Sequence, residues 1–313
     1  MVHEEKMMRD VYCECLMEAA AKDDRIVVME ADLMKATGTE PFFLKYPEKS
    51  VNVGIAECNM VSMAGGMSAM GKIPFAATFT AFITRRAFDQ ITLSVAYAQQ
   101  NVRLVGTDPG ITAEINGGTH MSMEDVAIMR SVPTMTIFEP IDGTQLKKAF
   151  PQIIDYYGPM YIRLNRRTPA KIYDDSYEFQ LGKADILKEG TDVTLVASGI
   201  MVEQALLAAE DLAKEGINAE VIAIHTIKPL DNEAIIASAK KTGAVVTAEN
   251  ASYLNGLGGA VCECLSENYP TPVQRVGVKD HYGEVGFTPF LQEKYHLMAC
   301  DIVEAAKKAI AMK

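Results

Sequence analysis

Apolar runs alternate with helical segments along the first half of the chain. Short runs rich in valine, isoleucine, leucine and methionine predict buried strands at 25–29, 50–53, 101–106, 135–138 and 160–164. Apolar residues at helical spacing predict helices at 7–21, 60–70, 123–131 and 143–157. The helix at 60–70 is apolar on every side and is expected to be buried. Continuous apolar strands separated by helices are typical of a parallel sheet covered on both faces, so this half predicts an α/β domain.

A polar and acidic stretch interrupts this alternation before a second α/β series begins. Residues 166–189 contain a proline and the acidic sequence YDDSYE, which favours a linker. Further strands are predicted at 193–197, 220–224, 244–248 and 274–278, with helices at 202–215, 232–242 and 258–267 and a last helix capped by Asp301. We therefore predict a first domain at 1–170, a linker at 171–189 and a second domain at 190–313.

Composition narrows the class of protein. The chain has 313 residues, a length that suits two α/β domains, and a formal net charge of −11. The negative charge disfavours nucleic acid as a partner, because its recognition needs a basic surface. No apolar run approaches the roughly 20 residues of a membrane span. The N-terminus lacks the apolar core of a signal peptide, so we expect a cytoplasmic protein.

The cysteines and one glycine run have structural interpretations. The two Cys-x-Cys pairs, at 13–15 and 262–264, lie in predicted helices, where residues i and i+2 face different directions. We therefore expect free thiols rather than a shared metal or disulfide. The glycine-rich sequence at 256–259 lacks the spacing of a dinucleotide loop and the lysine of a P-loop, which favours a tight entry into a helix.

Candidate chemistry begins at Glu57, which lies between the predicted strand at 50–53 and the helix that follows it. A carboxylate in an apolar setting is costly unless it is paired or protonated, so it is a candidate site residue. An acid at the start of a helix is also favoured by the helix dipole alone. Taken by itself, Glu57 leaves both interpretations open.

The residues around Glu57 resemble a known family. The sequence Gly-Ile-Ala-Glu at 54–57, followed by a helix, a strand and Thr-Phe-Thr-Ala-Phe at 78–82, resembles the pyrimidine-binding half of the transketolase family of thiamine diphosphate enzymes. The sequences at 227–231 and 280–284 resemble the transketolase C-terminal domain. The resemblance implies a pyrimidine-binding domain, with its parallel sheet, followed by a C-terminal α/β domain. It also implies that Glu57 gives the aminopyrimidine N1′ its proton, that Phe79 stacks on the ring and Phe82 forms a pocket wall, and that Asp32 lies near the thiazolium.

A long polar loop at 107–120 follows the predicted strand at 101–106. Loops after strand carboxyl ends hold ligands in parallel sheets, and the final Gly-Gly-Thr-His allows close approach to a substrate. The resemblance implies that His120 binds the hydroxyls of the donor sugar and acts on their protons. Asn116 stands where the family usually has aspartate, and Thr107 where true transketolases have a substrate-binding histidine. These departures leave the identity of the sugar open.

Two arginines match the family's clamp for the substrate phosphate. The resemblance assigns this role to Arg9 and Arg166, and a planar guanidinium suits an oxyanion because it binds two oxygens at once. The family's phosphate-binding serine falls at Ala36, with Thr37 beside it. A phosphate is expected, and another terminal oxyanion such as sulfonate remains open.

The sequence has no Gly-Asp-Gly, the motif with which this family holds Mg²⁺ and the diphosphate. The resemblance therefore implies the C-terminal subunit of a split transketolase, in which a separate diphosphate-binding subunit ligates the metal and this chain supplies no metal ligand. The pair would transfer a two-carbon ketol unit from a ketose phosphate to an aldose phosphate. We expect a homodimer alone and a heterotetramer with the partner. Alternatives are a subunit of a deoxyxylulose-phosphate synthase-like or 2-oxoacid dehydrogenase beta-like enzyme, and a non-catalytic scaffold subunit.

Overall fold

The computed structural model describes residues 1–165 and 167–313, and its first half is built around one sheet. The strands of this half are β1 (Ile26–Glu30), β2 (Ser50–Asn52), β3 (Ile73–Phe79), β4 (Arg103–Thr107), β5 (Thr136–Phe138) and β6 (Met160–Leu164). Its helices are α1 (Met8–Ala20), α2 (Met34–Thr37), α3 (Glu40–Lys45), α4 (Glu57–Ala69), α5 (Phe88–Gln90), α6 (Asp125–Ser131) and α7 (Gly143–Asp155). Two π-helical turns, Phe82–Arg86 and Ile91–Tyr97, flank α5.

The second half contains a smaller sheet. Its strands are β7 (Asp185–Lys188), β8 (Val193–Ala197), β9 (Ala219–Ala223), β10 (Thr226–Lys228), β11 (Val245–Ser252) and β12 (Val273–Val278). Its helices are α8 (Met201–Lys214), α9 (Asn232–Thr242), α10 (Leu257–Asn268), α11 (Thr288–Lys294) and α12 (Ala299–Ile310). The strand order is β12-β11-β8-β9-β7, parallel except for the edge strand β7.

The first sheet has the order β10-β5-β6-β4-β3-β1-β2 and is parallel except for β10. Its inner strands are buried along their whole length, which is the continuous apolar pattern expected of strands covered on both faces. The prediction of an α/β fold with helices on both faces of parallel sheets is confirmed. Because the strands run parallel, the loops that follow them collect at one edge of the sheet.

Two strands depart from the sequence-based expectation. β7 lies inside the segment predicted to be a linker, where it pairs antiparallel with β9 through Ile186 and Ile222. β10 follows β9 in sequence but pairs with β5 of the first sheet, through Thr226 and Phe138. A strand this short carries no periodic signal of its own, and the free edge of β5 supplies its hydrogen-bonding partner.

The helix predicted at 60–70 differs from expectation in both its start and its burial. α4 begins at Glu57, and only one side of it is buried; Asn59, Ser62, Gly66 and Ala69 are exposed. Its alanines, glycines and methionines do not distinguish an inner from an outer face, which is why the pattern suggested complete burial. At the last helix, Asp301 lies inside α12 rather than before it, and its carboxylate accepts a hydrogen bond from the Met298 N–H at 2.9 Å.

Across the described residues, every helix is too short or too polar to cross a bilayer.

Candidate functional site

The candidate residues follow the carboxyl ends of neighbouring strands. Asp32 comes after β1, Glu57 after β2, Phe79 ends β3, and His120 follows β4. The strands β2, β1, β3 and β4 are adjacent in the sheet, so these four positions share one edge. Arg166, predicted to bind substrate, lies outside the described residues.

Glu57 is paired with a cation that the sequence analysis did not single out. Its side chain is only 3% exposed, and its Oε1 accepts a hydrogen bond from Nη1 of Arg86 at 2.6 Å. The Arg86 guanidinium carbon also lies 4.2 Å from the ring centroid of Phe82, in cation–π contact. Arg86 thus joins the carboxylate to the aromatic wall.

The choice of Arg86 over Arg85 depends on the local backbone. The turn Phe82–Arg86 is π-helical, and residues four apart on a helical turn lie on one side of it, which brings Arg86 over the Phe82 ring. Arg85 instead donates to Glu124 at 2.9 Å and to the Thr119 carbonyl at 3.4 Å. In sequence the two arginines are neighbours without distinguishing signals.

Three aromatic rings meet beside this ion pair. The centroids of Phe79 and Phe82 are 5.9 Å apart, and the His120 ring lies edge-on to both, at 5.9 Å from Phe79 and 5.2 Å from Phe82. Nδ1 of His120 is 2.9 Å from the Thr119 hydroxyl, which leaves Nε2 as the nitrogen that can meet a substrate. The structure therefore brings Glu57, Phe79, Phe82 and His120 into one contiguous cluster.

The second domain supports the loop that carries His120. The Asn250 side chain accepts a hydrogen bond from the Ile111 N–H and donates one to the Pro109 carbonyl, both at 3.0 Å. At the other end of the loop, Gly118 approaches the Gly283 carbonyl so closely that a Cβ would collide with it. Contacts from two separate segments of the second domain thus hold the loop on the first sheet.

Glu114 lies in the middle of this loop in a strained conformation. Its φ of 49° and ψ of −119° belong to a region that residues other than glycine seldom adopt. Its buried carboxylate pairs with Arg167 and accepts from the Thr288 hydroxyl at 2.8 Å and the Thr288 N–H at 3.2 Å. These partners offset the strain and tie the loop to the start of α11.

The two positions that depart from the family pattern have unsatisfied polar atoms. The Thr107 hydroxyl and the Asn116 side-chain nitrogen are buried, and neither has a hydrogen-bond partner among residues 1–165 and 167–313. Buried polar groups are normally paired, so these two atoms, at the start and near the end of the loop that carries His120, are exceptions.

Arg9, one of the two residues predicted to bind an anion, contacts the backbone of Ala36. Arg9 lies in the first turn of α1, where its Nη1 donates to the Ala36 carbonyl at 3.0 Å. The neighbouring Met8 N–H donates to the Arg167 carbonyl at 3.1 Å, which brings the start of α1 beside the loop that follows β6. Thr37 turns inward instead, and its hydroxyl donates to Glu30 at 2.6 Å. Arg9 therefore lies against the Ala36 backbone, whereas the Thr37 hydroxyl is turned toward Glu30.

Two acids, Glu30 and Asp32, lie at and just beyond the end of β1. Burial raises the pKa of Glu30, at the end of β1, to about 8, although the Thr37 and Thr39 hydroxyls donate to its carboxylate. Asp32, two residues further on, is exposed and has a φ of 62°; its N–H donates to the Asn52 side chain at 3.0 Å. The edge of the sheet thus presents an exposed acid in front of a buried one.

Comparisons with known proteins agree with this geometry. Residues 4–170 match the family model "Transketolase, pyrimidine binding domain" and residues 182–302 match "Transketolase, C-terminal domain". The chain is 58% identical over 310 residues to the 6-deoxy-6-sulfo-D-fructose transketolase subunit SqwH of Clostridium sp. (strain MSTE9), covering 99% of this chain and 96% of the relative. It is 37% identical over 273 residues to an apulose-4-phosphate transketolase subunit of Phocaeicola vulgatus, covering 87% of each. A solved structure described as a split gene transketolase, inactive beta4 tetramer, superposes with a TM-score of 0.91 at 44% identity, covering 98% of this chain and 99% of that one.

The chain belongs to the transketolase family. A pyrimidine-binding domain of this family implies dependence on thiamine diphosphate. The described residues fit that cofactor's aminopyrimidine ring: a buried carboxylate and an aromatic face already hold a planar nitrogen-rich group between them, the guanidinium of Arg86. Phenylalanine rings suit a flat heterocycle, and the carboxyl oxygens of Glu57 suit a ring nitrogen.

Proposed function

We propose that this chain is the C-terminal subunit of a split transketolase. With a separate diphosphate-binding subunit, it would move a two-carbon ketol unit from a ketose to an aldose. The observation that carries the proposal is the cluster of Glu57, the two phenylalanines and His120 at the carboxyl edge of the sheet. Relatives that are themselves transketolase subunits, one of them from a split gene, support a partner, which would hold Mg²⁺ and the diphosphate.

Each residue of the cluster has a distinct task in this proposal. Thiamine diphosphate supplies the carbanion chemistry, and the protein orients it and moves protons. Glu57 holds a proton at N1′ of the aminopyrimidine, while Phe79 and Phe82 fix the plane of the ring. Asp32, exposed two residues after β1, would lie near the thiazolium. His120 binds the sugar hydroxyls and takes up their protons through Nε2.

We assign the charged end of the sugar to Arg9 and Arg166, with Asn116 and Thr107 on its hydroxyls. The relative that acts on 6-deoxy-6-sulfo-D-fructose is 58% identical to this chain, and the relative that acts on apulose 4-phosphate is 37% identical. We therefore propose a ketose with a terminal sulfonate as the donor. A ketose phosphate is the second candidate, because a guanidinium clamp binds either oxyanion.

Reconstitution tests this function. The chain would be expressed with a Gly-Asp-Gly subunit from a neighbouring reading frame, supplied with thiamine diphosphate and Mg²⁺, and assayed with sulfonated, phosphorylated and uncharged ketoses. We expect ketol transfer only when both subunits are present, with the highest kcat/KM for the sulfonated ketose. Activity of this chain alone, or no transfer from any ketose by the assembled pair, would contradict the proposal.

A further inference from the structure

We propose that Arg86 is a latch on the cofactor site: its guanidinium must swing away from Glu57 and Phe82 before the aminopyrimidine can be seated. This inference rests on the proposed function. It is carried by a contact that the assigned roles of the cluster do not explain, the ion pair of Arg86 with Glu57 together with its position over the Phe82 ring.

The guanidinium uses the two features that an aminopyrimidine needs. It is planar, it donates to Glu57 Oε1 at 2.6 Å, and its carbon lies 4.2 Å from the Phe82 centroid. A pyrimidine ring held by the same carboxyl group and stacked within the same aromatic wall requires that space. The two groups are therefore alternative occupants of one place.

The form of the Glu57 carboxyl group also differs between the pair with Arg86 and the pair with the aminopyrimidine. A carboxylate paired with a guanidinium is ionised and acts only as a hydrogen-bond acceptor. To hold a proton at N1′, the carboxyl group of Glu57 must donate, so the ion pair has to open first. Arg86 thus keeps Glu57 in the form that accepts hydrogen bonds until the cofactor displaces it.

The two partners differ in their freedom to move. Glu57 is 3% exposed and fixed at the first turn of α4, whereas Arg86 is 45% exposed at the end of a π-helical turn. Swinging the Arg86 side chain into water restores its hydration without disturbing the sheet, whereas the buried carboxyl group of Glu57 needs a new partner, which N1′ of the aminopyrimidine would supply. We therefore expect the Arg86 side chain to move and Glu57 to stay in place.

Calorimetric titration of the reconstituted pair with thiamine diphosphate at saturating Mg²⁺ tests the latch. Only molecules in which Arg86 has left Glu57 can bind the cofactor, so the apparent affinity for thiamine diphosphate is reduced by the fraction of molecules in that open state. If the latch is closed roughly nine-tenths of the time, Arg86→Ala should bind thiamine diphosphate about tenfold more tightly than the parent. Arg86→Lys, which keeps the charge but not the planar stacking, should fall between the parent and Arg86→Ala. The matched control is Arg85→Ala, which removes contacts to Glu124 and to the Thr119 carbonyl and leaves the Arg86–Glu57 pair in place; it should bind thiamine diphosphate within about twofold of the parent.

Thermal unfolding of each variant checks that it is folded, and Arg86→Gln replaces Arg86→Ala if the alanine variant is unstable. Unchanged or weaker cofactor binding by Arg86→Ala, with the parent pair binding normally, would overturn the latch and leave the proposed function intact. If the parent pair binds no thiamine diphosphate, the proposed function fails and the latch fails with it.

Discussion

Nη2 of Arg163 donates to the backbone carbonyl of Asn250 at 2.6 Å, so a side chain of the first sheet is bonded to a strand of the second. The same guanidinium pairs with Asp125 at 2.6 Å and Glu139 at 2.5 Å, and all three side chains are buried. Asn250 in turn holds the loop that carries His120. The buried Arg163 therefore helps to fix both the relative position of the two domains and the loop of the candidate site.

Removing this cation should destabilise the protein strongly. Arg163→Met leaves two carboxylates buried without their partner, and breaking a buried pair in this way costs about 3–5 kcal/mol. We expect chemical denaturation of the chain to show that loss in the free energy of unfolding. The control, Arg85→Met, breaks an exposed pair worth at most about 1 kcal/mol. Equal losses in the two variants would show that Arg163 is not the link.

Glu57→Gln should abolish ketol transfer without unfolding the protein. An amide cannot give N1′ its proton, so the reconstituted pair should lose nearly all of its kcat while its thermal midpoint stays close to that of the parent. Glu124→Gln, which changes an exposed acid near the site, is the control. A glutamine variant that turned over at more than a tenth of the parent rate would show that Glu57 is not the activating acid.

Arg9→Ala should raise KM for sugars that carry a terminal oxyanion and leave kcat nearly unchanged. A charge-assisted hydrogen bond is worth about 1.5–3 kcal/mol, so the change in KM should be at least about tenfold. Arg166→Ala is expected to raise the same KM in the same way. Arg25→Ala is the control, because Arg25 pairs with Asp23 at the opposite edge of the sheet. The same rise in KM for an uncharged ketose would contradict an anion clamp.

The chain alone should be inactive and self-associated. Beside the exposed side of α4, the partly buried Met63 and Met67 and the 84% exposed Met70 line one surface depression, and exposed apolar groups that lie together favour association. We expect light scattering to give at least the mass of a homodimer, and a heterotetramer or larger assembly once the partner is added. The split-gene structure of 44% identity is a tetramer of its beta subunit.

Met67→Glu should weaken this self-association, because it introduces a charge into the apolar face. The control is Met312→Glu, at an exposed methionine near the C-terminus. A monomeric parent, or a Met67→Glu variant that associates as strongly as the parent, would show that this face is not an interface.

Stability should fall as pH rises through the titration of Glu30. Burial raises its pKa from 4.5 to about 8, so between these values the folded chain holds a proton that the unfolded chain releases. The free energy of unfolding should therefore decrease across that window, by at most about 1.4 kcal/mol per pH unit for this group. Glu30→Gln should flatten the decrease, measured by urea denaturation from pH 5 to pH 8.

The exposed Glu210→Gln serves as the matched control and should retain the slope of the parent. Burial also raises the pKa of Glu249, to about 7, so the Glu30→Gln variant should keep a smaller decrease that ends near pH 7. A Glu30→Gln variant with the full slope of the parent would show that Glu30 is ionised in the folded protein at neutral pH.

Local patterns were sufficient to predict most of the fold. The strands β6 and β8 and the helix α9 begin and end at the predicted residues, because each is a continuous apolar run or a periodic segment between clear breaks. The motif around Glu57 indicated the family for the same reason, since its residues lie close together in sequence. Where the pattern was uniform, as in α4, sequence could not tell a buried side from an exposed one.

Tertiary structure decided what lies between segments distant in sequence. It moved β10 from the second half of the chain to the edge of the first sheet, and it bonded Asn250 to the His120 loop across 139 residues. It also made Arg86 rather than Arg85 the partner of Glu57, because the π-helical turn Phe82–Arg86 directs the two side chains differently. The sequence determines which side chains are present and the hydrophobic periodicity of each segment. Contacts such as these depend on how the packed sheets bring distant segments together.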